Sequence, residues 1–171
     1  MKTKHIVYRF HEEAWPAKDV CFITANLMII VSTRIIPGQT KTDGLESKVS
    51  LIALNDRLDK HTVLYEIITV GAQFDGCHVS RDIIYVADQA NDVIHRYQLM
   101  GEILKRQDDL EGFSFPHGVD VSADGSILAV TNYGPNTVSL RSIAHSRIKS
   151  CTIQFTSLLI GIGRRLQQFS I

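Results

Sequence analysis

Apolar residues in this chain come in short runs broken by polar or Gly/Pro-containing turns, a pattern of strands rather than helices. Leu27-Met28-Ile29-Ile30-Val31-Ser32 is apolar at nearly every position, which fits a central strand buried on both faces between neighbouring sheets. It follows a lead-in, Pro16-Ala17-Lys18-Asp19-Val20-Cys21-Phe22, and a turn near Ala25-Asn26. The polar stretch from Pro37 to Glu46 reads as a loop, and Ser47 to Leu54 and Val63 to Thr69 read as two outer strands. Further on, Ile83 to Asp88 is again a short buried run. Positions 92–99 alternate, with Val93, His95, Tyr97 and Leu99 on one face and Ile94, Arg96 and Gln98 on the other. Met100-Gly101-Glu102 predicts a turn before Ile103-Leu104. Ser122-Ala123-Asp124-Gly125 is a hairpin signal, because Gly takes positive φ without steric cost. Pro135-Asn136 makes the next turn, Thr137 to Ile143 the next strand, and Cys151 to Thr156 a fourth. No helix is signalled.

Two of these stretches repeat one another. Ile83-Ile84-Tyr85-Val86-Ala87-Asp88 followed by Asn91-Asp92-Val93-Ile94 matches Ile127-Leu128-Ala129-Val130-Thr131-Asn132 followed by Asn136-Thr137-Val138. Each copy has a His-containing lead-in, Gly76-Cys77-His78-Val79 and Pro116-His117-Gly118-Val119. The anchors Val31, Val86 and Val130 stand 55 and 44 residues apart, the longer step absorbing the Pro37–Glu46 loop and the tip around Asp56 to Lys60. A repeat of about 40 residues made of short strands is the signature of a propeller blade. The expected architecture is therefore all-β, a partial β-propeller of about three four-stranded blades. It occupies residues 1–156, with blades at about 16–70, 76–106 and 115–156. Lys4 to Phe10 is expected to pair as a stray outer strand, and residues 157–171 form a tail without blade signature.

Composition narrows function only by exclusion. The chain has 171 residues, 44% apolar and 21% charged, with 18 basic and 18 acidic side chains that cancel. Bulk charge therefore predicts no nucleic-acid or anionic-membrane partner. Three cysteines, Cys21, Cys77 and Cys151, lie 56 and 74 positions apart without a CxxC spacing, and read as small buried hydrophobes. The N-terminal Met1-Lys2-Thr3-Lys4-His5 is followed by Arg9, His11, Glu12 and Glu13, which break any signal-peptide apolar run. The apolar segment from Leu158 to Ile162 is too short to span a bilayer. A soluble, cytoplasmic protein is expected.

The stretch from Phe115 through Gly125, with Val130-Thr131-Asn132-Tyr133, resembles the NHL-repeat propellers and the wider group of lactonase-like and gluconolactonase-like proteins. Ile84-Tyr85-Val86-Ala87-Asp88 with Asn91 and Val93-Ile94 looks like the same repeat. The likeness covers Gly76 to Ile143 well, Pro16 to Ser32 loosely, and nothing after Thr156. Closed propellers take about 4–8 blades, so the chain resembles half of a six-bladed one. A truncated chain, or two chains pairing as a homodimer to complete the ring, would account for this.

The resemblance implies that the residue opening each innermost strand faces the mouth of the central channel. By that analogy His78 and His117 share one ring, with Asp88 and Asn132 as further channel-mouth candidates. Family members with metal-assisted chemistry place imidazoles or carboxylates there, so a divalent metal on His78 and His117 is the cofactor the resemblance suggests. No other cofactor is predicted. Two imidazoles do not make a site, because a metal needs three or more converging ligands. The gluconolactonase-like pattern also expects Asn where His117 stands and a carboxylate where Asn132 stands. Read from chemistry alone, Asp88 and Asn132 end buried strands and cap turns by accepting from backbone amides. His11 with Glu12-Glu13 and the acidic Asp108-Asp109 with Glu111 read as solvated turns. No nucleophile or phosphate-loop spacing occurs. The leading expectation is a scaffold binding a protein or small-molecule ligand. The alternatives are a lactonase-like, metal-assisted hydrolase or lyase of a small substrate, and a fragment without independent activity.

Overall fold

The structure, a computed structural model, describes residues 15–41, 44–143 and 150–154. These form three antiparallel four-stranded sheets, each a simple meander in chain order. The first holds β1 (Ala17–Thr24), β2 (Leu27–Ile35), β3 (Leu45–Leu54) and β4 (His61–Val70). The second holds β5 (Phe74–Ser80), β6 (Ile83–Asp88), β7 (Val93–Met100) and β8 (Ile103–Arg106). The third holds β9 (Pro116–Val121), β10 (Ile127–Asn132), β11 (Thr137–Ser142) and β12 (Ser150–Gln154). This is the all-β, partial propeller-like architecture the repeats predict. The expected strand over Lys4 to Phe10 and the tail 157–171 lie outside the described residues. Among the described residues, no helix is long and apolar enough to cross a membrane.

The second sheet shows why its central strand is apolar at nearly every position. Ile84 and Val86 join Ile29, Val31, Val49 and Leu51 of the first sheet, with Phe74 and Tyr97, in one core. The alternate residues Tyr85 and Ala87 join Leu128 and Val130 of the third sheet, with Ile94, Val121 and Phe113, in another. Strand side chains alternate between faces, so a strand sandwiched between two sheets must be apolar on both. Each such side chain, fully buried, stabilises the fold by about 1.5–3 kcal/mol. The first sheet's far face carries a smaller cluster of Met28, Ile30 and Ile52, beside Val20 and Phe22, which are 51% and 59% exposed.

The innermost strands β1, β5 and β9 lie side by side. The Cys77 amide donates to Asp19 Oδ2 at 2.9 Å, and His78 Nδ1 meets Asp120 Oδ1 at 2.9 Å. At Gly76 the approach is closest: a Cβ there would stand 2.4 Å from the His117 carbonyl oxygen. Only a residue without a side chain fits.

Each inner strand carries the same irregularity. Phe74 faces Asp88 and Cys77 faces Val86, while Pro116 faces Asn132 and Val119 faces Val130. In both, the inner strand has one residue more than its partner, a β-bulge. On β1 the shift falls between Ala17, facing Ser32, and Asp19, facing Val31. The turns follow the sequence signals: Gly125 has φ 74° in the Ser122–Gly125 hairpin, and Asn136 and Asp92 take φ 57° and 58° in the corresponding turns.

Candidate functional site

The bulges decide which residues are equivalent. Counted along the ladders, Phe74-Asp75-Gly76-Cys77-His78 aligns with Pro116-His117-Gly118-Val119-Asp120. The counterpart of His117 is Asp75 and, in the first sheet, Ala17; the counterpart of His78 is Asp120. The shared ring expected for the two imidazoles is not what the register gives, because the His residues are three positions out of step. Their surroundings differ accordingly. His78 is paired with Asp120 across two inner strands, whereas His117 is exposed and lies against the ring of Tyr133, centroids 6.1 Å apart. Among the described residues no group of three or more His, Cys, Asp or Glu side chains is placed to hold a metal ion. The pair His78 and His117 does not fit a divalent ion.

Asp88 and Asn132 do occupy equivalent positions, each two residues beyond the anchor valine, where the first sheet has Thr33. Asp88 is fully buried. Its Oδ1 accepts from the amides of Gln73 at 3.0 Å and Ala90 at 3.1 Å. Its Oδ2 accepts from Asn91 Nδ2 at 2.7 Å and meets His95 Nε2 at 2.9 Å. Asn132 Oδ1 accepts from the Ser114 amide at 3.2 Å, and its Nδ2 donates to Thr137 and Ser139 hydroxyls at 3.1 and 2.9 Å. Thr33 Oγ1 accepts from the Phe74 amide at 3.0 Å and contacts the Ser47 hydroxyl at 2.8 Å. All three fasten the segment leading into an innermost strand. Burial alone would raise the Asp88 carboxyl, but hydrogen bonds from His95, Asn91 and the Gln73 amide, with the His95 charge, hold it below the ordinary value.

His95, which the sequence pattern sets on one strand face with Val93, Tyr97 and Leu99, turns out to hold a buried polar network. It is 3% exposed and lies edge-on to Phe74, ring centroids 5.3 Å apart. Its Nδ1 sits 2.9 Å from Asp109 Oδ1 and 2.7 Å from Arg106 Nη2. Arg106 also pairs with Asp109 at 2.8 Å. A neutral ring accepts at Nδ1 from Arg106 and donates at Nε2 to Asp88; a charged ring donates to both carboxylates. Burial pushes the Asp109 carboxyl up, and the bonds from His95 and Arg106 more than offset it, holding it below its usual range. Every member is engaged with another, so this network fastens β6, β7 and the segment after β8 together.

A further group of polar side chains stands at the end of the inner strands that carries Ala17, Asp75 and His117. A hollow of about 400 Å³ there is lined by Pro16, Lys18, Thr33, Arg34, Lys41 and Gln73, among others. Arg34 is paired with Glu46. Lys18 and Lys41 are exposed. Gln73 reaches both Gln89 Oε1 and Asp75 Oδ2, the latter at 3.3 Å. The rim therefore combines cations, amide donors, a carboxylate and an imidazole. A second hollow, about 320 Å³, lies on the first sheet's far face over Ile30, Ile52 and Val63, where Lys48 is tied to Glu66 at 2.9 Å.

No protein-family model matches the sequence, and comparison with curated proteins gives no match. Solved structures do match in shape. A putative 6-phosphogluconolactonase from Bacteroides uniformis superposes with a TM-score of 0.55 at 10% identity, over 78% of this chain and 55% of that one. A putative 6-phosphogluconolactonase from Bacteroides fragilis gives 0.54 at 9% identity, over 77% and 51%. A functionally unknown protein from Desulfotomaculum acetoxidans gives 0.52 at 12% identity, over 83% and 57%. The chain spans about half the length of these structures. At such identities the likeness establishes the architecture alone: these residues build a partial propeller-like fold that covers about half of each of those structures.

Proposed function

We propose that the rim of the inner strands binds a small, anionic, polyhydroxylated sugar acid or its lactone, and that the chain belongs to a lactonase-type hydrolase. The observation that carries this reading is the hollow lined by Lys18, Arg34, Lys41 and Gln73. It lies on the same rim as Asp75 and His117, in a fold shared with two putative 6-phosphogluconolactonases. Ammonium and guanidinium groups suit a phosphate or carboxylate, and Gln73 with Gln89 suits sugar hydroxyls. Lactone hydrolysis needs a base that removes a proton from water as its oxygen attacks the carbonyl carbon. The same group can then return that proton to the ring oxygen as the ester bond breaks. His117, exposed and outside any carboxylate pair in the described residues, is assigned that role.

The test is hydrolysis of 6-phosphogluconolactone above its spontaneous rate. His117→Ala should lower kcat, whereas Lys18→Ala and Lys41→Ala should raise KM with kcat largely kept. A rate equal to background, together with no heat on titrating the phosphorylated sugar acid, overturns the proposal. A pure binding role is favoured by one specific observation: His78, His95, Asp88 and Asp120 are all committed to internal pairs. Measurable binding without turnover would select it.

A further inference from the structure

We propose that Cys21 and Cys77 form an intramolecular disulfide under oxidising conditions, a covalent staple between the first two sheets. The inference does not depend on the lactonase reading. Cys21 lies on β1 and Cys77 on β5, in different sheets, yet their sulfurs are 2.9 Å apart, with the Cys77 thiol donating to Cys21 Sγ. A disulfide requires about 2.05 Å, so closure takes a shift of under about 1 Å. Beside them, the Cys77 amide is tied to the Asp19 carboxylate at 2.9 Å, which fixes one strand against the other. The pair is thus held in place by the fold, and the chain between the two cysteines closes a long loop.

The two thiols have unequal roles. Cys77 is buried, 6% exposed, whereas Cys21 is half-buried. The hydrogen bond to Cys21, burial, and the nearby charges of Cys21 and Asp19 all push the Cys77 thiol up. Cys21 is therefore the attacking group. As the thiolate it attacks one sulfur of a low-molecular-weight disulfide of the glutathione type, breaking that S–S bond and releasing one thiol. Cys77, losing its proton to solvent, then attacks Cys21 Sγ in the mixed disulfide. The Cys21–Cys77 bond forms and the second small thiol leaves, so two protein thiols are oxidised as one small disulfide is reduced to two thiols.

The experiment uses the whole chain carrying Cys151→Ser, because Cys151 is exposed and would otherwise form adducts of its own. After treatment with oxidised glutathione, both remaining thiols should resist alkylation. The intact mass should fall by about two mass units, and proteolysis should yield a Cys21–Cys77 linked peptide that dithiothreitol separates. The oxidised form should unfold at a higher temperature than the reduced one, and Cys21→Ser or Cys77→Ala should abolish that difference. Retention of two alkylatable thiols, arrest at a glutathione adduct, or a cross-link only between chains would each overturn the proposal. The linked peptide is read on unaltered Cys21 and Cys77, so the outcome does not hang on either variant folding.

Discussion

Asp88→Ala gives the sharpest measure of how the blades are fastened. The carboxylate is fully shielded from solvent and receives four hydrogen bonds, two from backbone amides and two from Asn91 and His95. Truncation strands the Gln73 and Ala90 amides, each worth about 1–3 kcal/mol when left without an acceptor. It also leaves His95 Nε2 without its carboxylate acceptor, and a hydrogen bond to a charged group is worth about 1.5–3 kcal/mol. These contributions overlap, and water entering the vacated space recovers part of the loss, so about 4 kcal/mol is expected. That is a large share of the roughly 5–15 kcal/mol that holds a domain folded. In thermal unfolding followed by far-ultraviolet circular dichroism it amounts to a Tm lower by about 10 °C. The acid limb supplies a second check through Asp88→Asn, which cannot ionise. The folded-state carboxyl is held below its ordinary value of 3.8. Its stabilisation is therefore complete above that value and is lost as pH falls through the lower folded one. The advantage of the natural chain over Asp88→Asn should be constant near neutrality and shrink in that acid window. A loss under about 1 kcal/mol in Asp88→Ala, against the cost expected for stranded buried donors, would refute the reasoning.

Three further outcomes follow from the same geometry. Gly76→Ala would set a methyl 2.4 Å from the His117 carbonyl and should cost about 1–3 kcal/mol by urea denaturation, forcing β5 and β9 apart. Asn132→Ala, losing neutral bonds to Ser114, Thr137 and Ser139, should cost about 1–3 kcal/mol, less than Asp88→Ala in the same assay. Gly125→Ala, at φ 74° where a Cβ would make only ordinary contact with the Arg81 guanidinium, should lose only about 1 kcal/mol, because strain and not crowding opposes it.

What could be read from the chain beforehand was whatever burial imposes on side-chain type. The run of six apolar or small residues at Leu27 to Ser32, and its echo at Ile83, exist because those strands are buried on both faces, whereas the run at Ile127 is buried on one face and exposes Ile127 and Thr131 on the other. The turn at Ser122 to Gly125 was visible because one residue there must take positive φ. The relative placement of the two imidazoles was not legible. Aligning the lead-ins on His78 and His117 puts them in register, but the shared glycines, Gly76 and Gly118, carry the true alignment. Gly76 is glycine because the neighbouring strand's backbone touches it, and no periodicity reports such a contact. His95 gave half a signal, an ionisable group sharing a strand face with Val93, Tyr97 and Leu99. Its partners Arg106, at the end of β8, and Asp109, in the segment after it, are brought to it by strand pairing and tertiary structure. The acidic Asp108-Asp109 turn was accordingly read as solvated, although Asp109 is bound to an imidazole and a guanidinium. The rim cations were missed for a different reason: Lys18 and Lys41 are exposed and unremarkable singly, and meet only because a loop folds back beside β1.

The extra residue in each innermost strand has a consequence for how such a protein can change. Upstream of the kink stand Ala17, Asp75 and His117, three unrelated chemistries at one position; downstream, the ladder and the interior run on unaltered. The irregularity works as an expansion joint: what is displayed at the lip can be rewritten by substitution while the stacked interior stays insulated from the edit. Chemical diversity at that lip is thus a permission granted by the backbone, repeated once in every blade.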